Sequence, residues 1–406
     1  MIFPFEDGPT LEDRQQEYLF YVLRIAGLTT VLGAVIALPF TLVRLRLSQE
    51  RTETARESLF NDKINEATKG LYARRQVTQW HRNDGHKDHW EDDIVQRNAA
   101  IGRLEDLAKE KPTEVPRIAR LLSVYVRALS RDLPPKAPPA SATATVLREW
   151  CNRLEPARSD MEKATQTLGR LHKTAKDHFD GQDIDLSHAN LQGFDLHDLS
   201  FEGARLSGAH LHGALLLRTR LSGADMEGAM LHGARMNRAK LCGGKTFAVH
   251  AKFIGANLTY AELNKAILSS ASFQGATLEG TQFEGAYLDD ATFKNCSLQA
   301  VKLNGASVWQ ADFRGAHFRH GSIDILENAE SAHFAGSAFG KITLNISLPE
   351  AEIFGDASVS LPGDIKRDHP GWPPHWKKTE LNKADFYDAW REWQADLPPD
   401  WDAPQN

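Results

Sequence analysis

Cysteine is scarce in this chain. Cys151, Cys242 and Cys296 are the only three in 406 residues. An odd, widely spaced set excludes a disulfide framework and paired-cysteine metal motifs, and it fits a reducing compartment. A strong excess of one charge is also lacking, with 48 Lys and Arg against 54 Asp and Glu and a net charge of −6. Signatures of catalysis are missing: no Walker loop, no dinucleotide fingerprint after a strand and no nucleophile elbow. His81, His86 and His89 cluster with Asp84, Asp88, Asp92 and Asp93. Their spacing matches no standard metal site, so a solvated charged loop is expected. No catalytic residue, cofactor or metal is expected anywhere. Long apolar runs are absent with one exception near the start, in a chain of mean hydropathy −0.43.

What is present is a period. Reading in steps of five from Leu186, every position to Leu241 is apolar; the rhythm slips by two residues and resumes from Phe253 to Ile323. Ala stands two residues before this position in 19 of the 27 cases, and Gly often two after it. Neither helix nor ordinary strand has a period of five. A short fixed period predicts a solenoid, whose repeats bury their apolar face only by stacking on neighbours. A turn of roughly 90° per repeat gives a twenty-residue coil with the long side chain inward, Ala leaving space beside it and Gly relieving the corners. Such a rod is solid and leaves no room for an active site.

The motif Ala-[Asp/Asn]-[Leu/Phe], as in Ala256-Asn257-Leu258, Ala224-Asp225-Met226 and Ala311-Asp312-Phe313, resembles the pentapeptide-repeat family over residues 181 to about 341. The resemblance implies a mainly β fold, a right-handed quadrilateral β-helix over residues 181–345. Phe253, Phe273, Phe293 and Phe313, spaced by twenty, should form an interior ladder with coils about 4.8 Å apart. About seven coils then give a rod of roughly 30–35 Å. Cys242–Lys245 should bulge at the slip. On the outer surface Arg205 should stack with Asp225, Arg218 with Arg238, and His212 with His232. Cys296 falls at an inward Ala-type position and reads as a small core residue.

Ile25–Val43 carries no charge between Arg24 and Arg44. At about 1.5 Å per residue this spans the hydrocarbon core of a bilayer, so residues 18–47 read as a transmembrane helix. Arg24 can snorkel. Residues 1–17 hold only Arg14 among several acids, whereas Arg44, Arg46, Arg51 and Arg56 follow the span. That asymmetry predicts a single pass with a short acidic tail outside and the bulk in the cytoplasm; a bacterial inner membrane as the location is what the family resemblance implies. Residues 48–180 read as α-helical, with stripes at Val115, Ile118, Leu122, Tyr125 and Leu129 and at Met161, Ala164, Leu168 and Leu171, and with a proline-rich break at 132–140. Ala55–Leu71, Arg97–Leu107, Leu121–Arg127 and Met161–Arg170 resemble the helical region preceding the repeats in membrane-anchored bacterial members of the family. Its expected task is to cap the first coil. Residues 346–406 are expected to form a tail with a short helix at Lys383–Trp393, whose Phe386, Trp390 and Trp393 cap the last coil or, as alternatives, pack on the helical domain or bind another protein.

The family's best-known activity is mimicry of DNA toward DNA gyrase, which needs a strongly negative rod. Residues 181–341 hold 16 Asp and Glu against 14 Lys and Arg, and Arg218, Arg220, Arg235, Arg238, Lys240, Lys245 and Lys252 make coils two and three basic. Mimicry is therefore disfavoured. Nucleic acid is also disfavoured, because no stacking aromatics interleave with these cations. The expected function is a membrane-anchored scaffold docking a cytoplasmic protein through Arg218, Arg220, Arg238 and Lys240. The alternative to that docking role is a charged face partly paired with Asp198, Asp225 and Glu227. An oligomerising membrane effector in stress or phage defence is the second functional class.

Overall fold

In the computed structural model the described residues are 11–81, 85–179, 183–323, 337–344, 353–359, 368 and 372–397. Residues 1–10 of the expected acidic tail, Asp84 and the expected end of the repeats at 345 lie outside them. The chain divides into two compact units, Met1–Glu66 and Ala67–Asn406.

Helix α1 (Leu11–Gly70) continues through Pro39. It starts inside the expected tail and runs unbroken past residue 47, because residues 48–69 contain neither glycine nor proline. Its apolar side chains from Tyr18 to Leu47 are all exposed. The hydroxyls of Thr29, Thr30 and Thr41 donate to carbonyls within the helix at 2.7–2.9 Å, so the apolar stretch presents few unpaired polar groups.

The second unit opens with an antiparallel hairpin, β1 (Arg74–His81) and β2 (Gly85–Asp92). This corrects the expected charged loop. Cross-strand bonds from Gln76 and Thr78 to the Asp88 carboxylate, 2.7 and 2.5 Å long, hold the strands together. Helices α2 (Ile94–Glu110), α3 (Val115–Asp132), α4 (Ala144–Cys151) and α5 (Ser159–Thr174) follow. The expected stripes of α3 and α5 are fully buried. Asp160 sits among them: the Tyr125 hydroxyl donates to it at 2.5 Å and Arg158 grips it through two nitrogens at 2.8 and 2.6 Å. Burial alone would raise the Asp160 pKa, but these bonds and that from the Met161 amide outweigh it and hold the carboxyl low.

The repeats then stack as predicted. Residues twenty apart pair in parallel, as in Asp185↔Arg205, Asn190↔His210, Asp195↔Leu215 and Ser200↔Arg220, so each coil has four pairing positions. Leu186 donates to the Arg205 carbonyl and Arg205 to that of Ile184, at 2.8 and 2.9 Å. Pairing uses one residue in five, since two of the remaining four form the turn. Regular strands appear only late: β3 (Ser297–Gln299), β4 (His317–Ile323), β5 (Ser337–Leu344) and β6 (Ile353–Gly355), in parallel order β3-β4-β5-β6. At the slip, Cys242–Thr246 form a wider turn, and the pairing step becomes 22 at Asp225↔Phe247. The inward positions from Leu186 to Phe318 are at most 3% exposed. Phe253, Phe273, Phe293 and Phe313 stack with centroids 4.8 Å apart and interplanar angles of 3–6°. The Cys296 thiol is buried and donates to the Phe273 carbonyl at 2.8 Å.

The first coil is tied to the helices. The Asn190 amide donates to Ser130 Oγ, the Ser200 amide to the Gly169 carbonyl, and Gln166 Nε2 to the Asp195 carbonyl. The proline-rich break is pinned by two 2.8 Å bonds between Gln192 and the Lys136 backbone. At the other end α6 (Lys383–Ala395) sets Phe386 and Trp390 against His317 of β4, and Phe386 and Trp393 against Phe354 of β6.

Helix α4 and the turn after it lie along one corner of the rod, and glycines make that approach feasible. At Gly193, Gly213, Gly233, Gly255 and Gly275 a Cβ would come within 2.3–2.9 Å of Leu154, Cys151 or Ala144. Arg148 caps the Gly255 and Gly275 carbonyls at 3.2 and 3.0 Å, and the Cys151 thiol donates to the His232 carbonyl. This packing corrects the expected outer histidine ladder. His212 and His232 do stack, at 4.6 Å, but they are buried, and Trp150 covers His212 edge-on. Their ring nitrogens have no hydrogen-bond partner among the described residues.

Phe293→Ala should cost about 3–5 kcal/mol through the cavity it leaves, while Glu279→Ala should stay within about 0.5 kcal/mol; urea unfolding compares them. Gly233→Ala and Gly228→Ala share a left-handed φ, +59° and +62°. Only the first meets α4, so it should destabilise by more than the about 1–2 kcal/mol of backbone strain both carry. Burial and neighbouring positive charge lower His212 to about 3 and His232 to about 4. Both values lie below the ordinary 6.5, so the unfolded chain takes up protons first. The stability from these neutral rings is full above about pH 6.5 and is lost as pH falls toward 4. Thermal unfolding between pH 7 and 4 should show this, and His212→Phe with His232→Phe should flatten the slope.

Candidate interaction surface

The rod's turns fix where each outward cation points. Asp198, Arg218 and Arg238 occupy one corner in successive coils, all in the left-handed backbone region at φ 58°, 53° and 57°. Arg220 and Lys240 begin the adjoining face, in the pairing column Ser200↔Arg220↔Lys240↔Glu262. The four sequence-derived docking residues are thus gathered around a single corner of coils two and three. Arg235 and Lys252 lie in other columns, Leu215↔Arg235 and Met230↔Lys252. Arg235 is bonded to Asn152 after α4.

Three of the four cations are already paired. Arg218 clasps Asp198 through two nitrogens, one at 2.6 Å, which holds the Asp198 carboxyl below its usual range. Arg220 lies 3.3 Å from Glu202, and Lys240 lies 3.2 Å from Glu262. Their carboxylate partners are Asp198, Glu202 and Glu262. This corrects the expected trio: Asp225 instead accepts from Ser207 and from the Glu227 amide. Arg238 is exposed, with no ion pair among the described residues. Exposed pairs of this kind contribute at most about 1 kcal/mol, so an anionic ligand can exchange with the local carboxylates at small cost.

His86 and His89 of the hairpin are not assembled into a site. His86 pairs with Trp80 and His89 with Val77, so the two point to opposite faces of the ribbon. Among the described residues no group of three or more His, Cys, Asp or Glu has metal-holding geometry. Sequence reading missed the α4 seam, although its signal is present as five glycines in one corner column.

Comparison with known proteins agrees with the coil geometry. Family models for pentapeptide repeats match residues 182–216 and 218–244, and a pentapeptide repeat region model matches 248–327. No curated protein matches the chain. Among solved structures, HetL, a pentapeptide repeat protein involved in heterocyst differentiation regulation from the cyanobacterium Nostoc sp. strain PCC 7120, is 23% identical. That match covers 45% of this chain and 83% of HetL, with a TM-score of 0.32. Trypsin-treated QnrB1, a plasmid-mediated fluoroquinolone resistance protein, is 19% identical over 45% of this chain and 88% of its own, with a TM-score of 0.31. A thylakoid-lumen pentapeptide repeat protein of Arabidopsis thaliana is 24% identical over 33% and 67%, with a TM-score of 0.14. Residues 182–216, 218–244 and 248–327 are thus the part of this chain that matches pentapeptide repeats.

Proposed function

We propose that this protein is a single-pass, membrane-anchored scaffold. Residues 18–47 cross the bilayer, and a right-handed quadrilateral β-helix presents its outer faces to a protein partner in the cytoplasm. The observation that carries this reading is the helix containing Tyr18–Gly70. Its most apolar window has a mean hydropathy of 2.0 and is 0% buried. A run of exposed Leu, Val, Ile and Phe that long is costly in water and stable in hydrocarbon. Arg44, Arg46, Arg51 and Arg56 support a cytoplasmic bulk. Binding fits the rod, because its inward ladder carries the stability and its outward positions are left for recognition. The docking corner is Arg218, Arg220, Arg238 and Lys240, suited to an acidic partner surface. Three of its cations sit beside carboxylates, which fits poorly with mimicry of nucleic acid.

The test uses the intact chain. It should remain in the membrane pellet after an alkaline carbonate wash, and deletion of residues 18–47 should release it at full thermal stability. A shortened mature chain would instead identify residues 18–47 as a cleaved signal and sink the anchor. In crosslinked native membranes, reversing Arg218, Arg220, Arg238 and Lys240 to Glu should abolish recovery of the partner while leaving membrane retention unchanged. Undiminished recovery would refute the docking corner.

A further inference from the structure

We infer that the chain pairs side by side with a second copy of itself through an apolar ladder on the outside of the rod, the two-fold axis running parallel to the rod. One outward column changes character along the stack. In the first three coils it carries Asp185, Arg205 and Asp225; in the next three it carries Phe247, Ile267 and Tyr287, joined by parallel pairing. These are outward positions, and the filling of the interior makes no demand on them. Phe247 is 37% exposed and Tyr287 51%, and Trp309, beside the same column one coil on, is 44% exposed. Val249 lies next to Phe247, half-buried like Ile267. The ladder is about 10 Å long from Phe247 to Tyr287. A contiguous apolar strip of this kind marks a contact surface.

Charge identifies the occupant as another copy of this chain. Within a coil, Lys265 stands at the corner before the ladder. Asp290, one coil further on, stands at the corner after it. Both are exposed, and neither is ion-paired among the described residues. A two-fold axis parallel to the rod brings the leading border of one copy against the trailing border of the other. Lys265 then faces the partner copy's Ser270–Asp290 edge, one coil step from the carboxylate. An antiparallel pairing would set each border against itself, lysine on lysine and aspartate on aspartate. The parallel pair also stacks Phe247, Ile267 and Tyr287 on their own equivalents. The strip is smaller than the ~800 Å² per partner of a standard interface, so the contact is weak in dilute solution. Confinement of both copies to one bilayer raises their effective concentration enough to populate it. That last step rests on the membrane anchor proposed above.

The test is oxidative cross-linking of the full-length chain in liposomes. Ile267→Cys should give a disulfide-linked dimer, and Glu279→Cys, on a different face, should not. Lys265→Glu or Asp290→Lys added to Ile267→Cys should each lower the dimer yield at least several-fold, and both together should restore it. No dimer from Ile267→Cys, or an equal yield from Glu279→Cys, overturns the inference. Yields unmoved by the charge changes overturn the parallel arrangement. Should Ile267→Cys fail to fold, as judged by thermal unfolding, Tyr287→Cys takes its place with the same expectation. Carbonate washing of the same liposomes separates the two readings. Protein that washes off refutes the anchor, and the ladder is then judged by the same cross-link on concentrated detached protein.

Discussion

Hydrogen bonds between successive coils are the constraint on which everything else depends. Each joins a residue to the one about twenty positions on, so the cross-section cannot vary from coil to coil. A fixed cross-section admits one large inward side chain and one small one per five residues. It therefore accounts for alanine beside leucine and for the flat stacking of Phe253, Phe273, Phe293 and Phe313. The slip at Cys242–Thr246 obeys the same rule. Its two extra residues are absorbed in a turn, pairing resumes at Phe247, and the interior continues without a gap.

The same constraint separates stability from recognition. Interior atoms are committed to packing, while side chains beside the turns and on the outer faces answer to whatever lies next to them. Along the Gly193–Gly275 column the neighbour is α4, and glycine is required because backbone and side chains of that segment approach within contact distance. At the Asp198–Arg218–Arg238 corner the neighbour is solvent, and arginine is tolerated in a left-handed conformation because its long side chain leaves the turn. One scaffold thus carries a seam and a charged edge on different corners of the same coils.

Much of the rod was legible in the sequence, since a twenty-residue register follows from the inward rhythm alone. The nearness of Arg218, Arg220, Arg238 and Lys240 to one another was legible for that reason. Their carboxylate partners were only partly legible: Asp198, and Glu262 once the slip is allowed for, follow from the register, whereas Glu202 depends on how far its side chain reaches out of its own column. The hairpin at 74–92 was missed because its strands alternate weakly, with charged residues on both faces. Burial of His212 and His232 could not be read locally either. It is imposed by Trp150 and Cys151, some sixty to eighty residues earlier in the chain, and no periodicity connects the two segments.

The covered ends bear on what kinds of assembly the rod can enter. Among the described residues, helices α3 and α5 bond to the first coil and α6 packs on β4 and β6, so part of each end is covered. End-to-end addition, which would generate open-ended filaments, is thereby suppressed. Association between copies, as inferred above, is then left to the flanks, where a two-fold pair is closed and adds no further copy. A protein built from a repeat that could in principle continue without limit is in this way kept finite in number as well as in length.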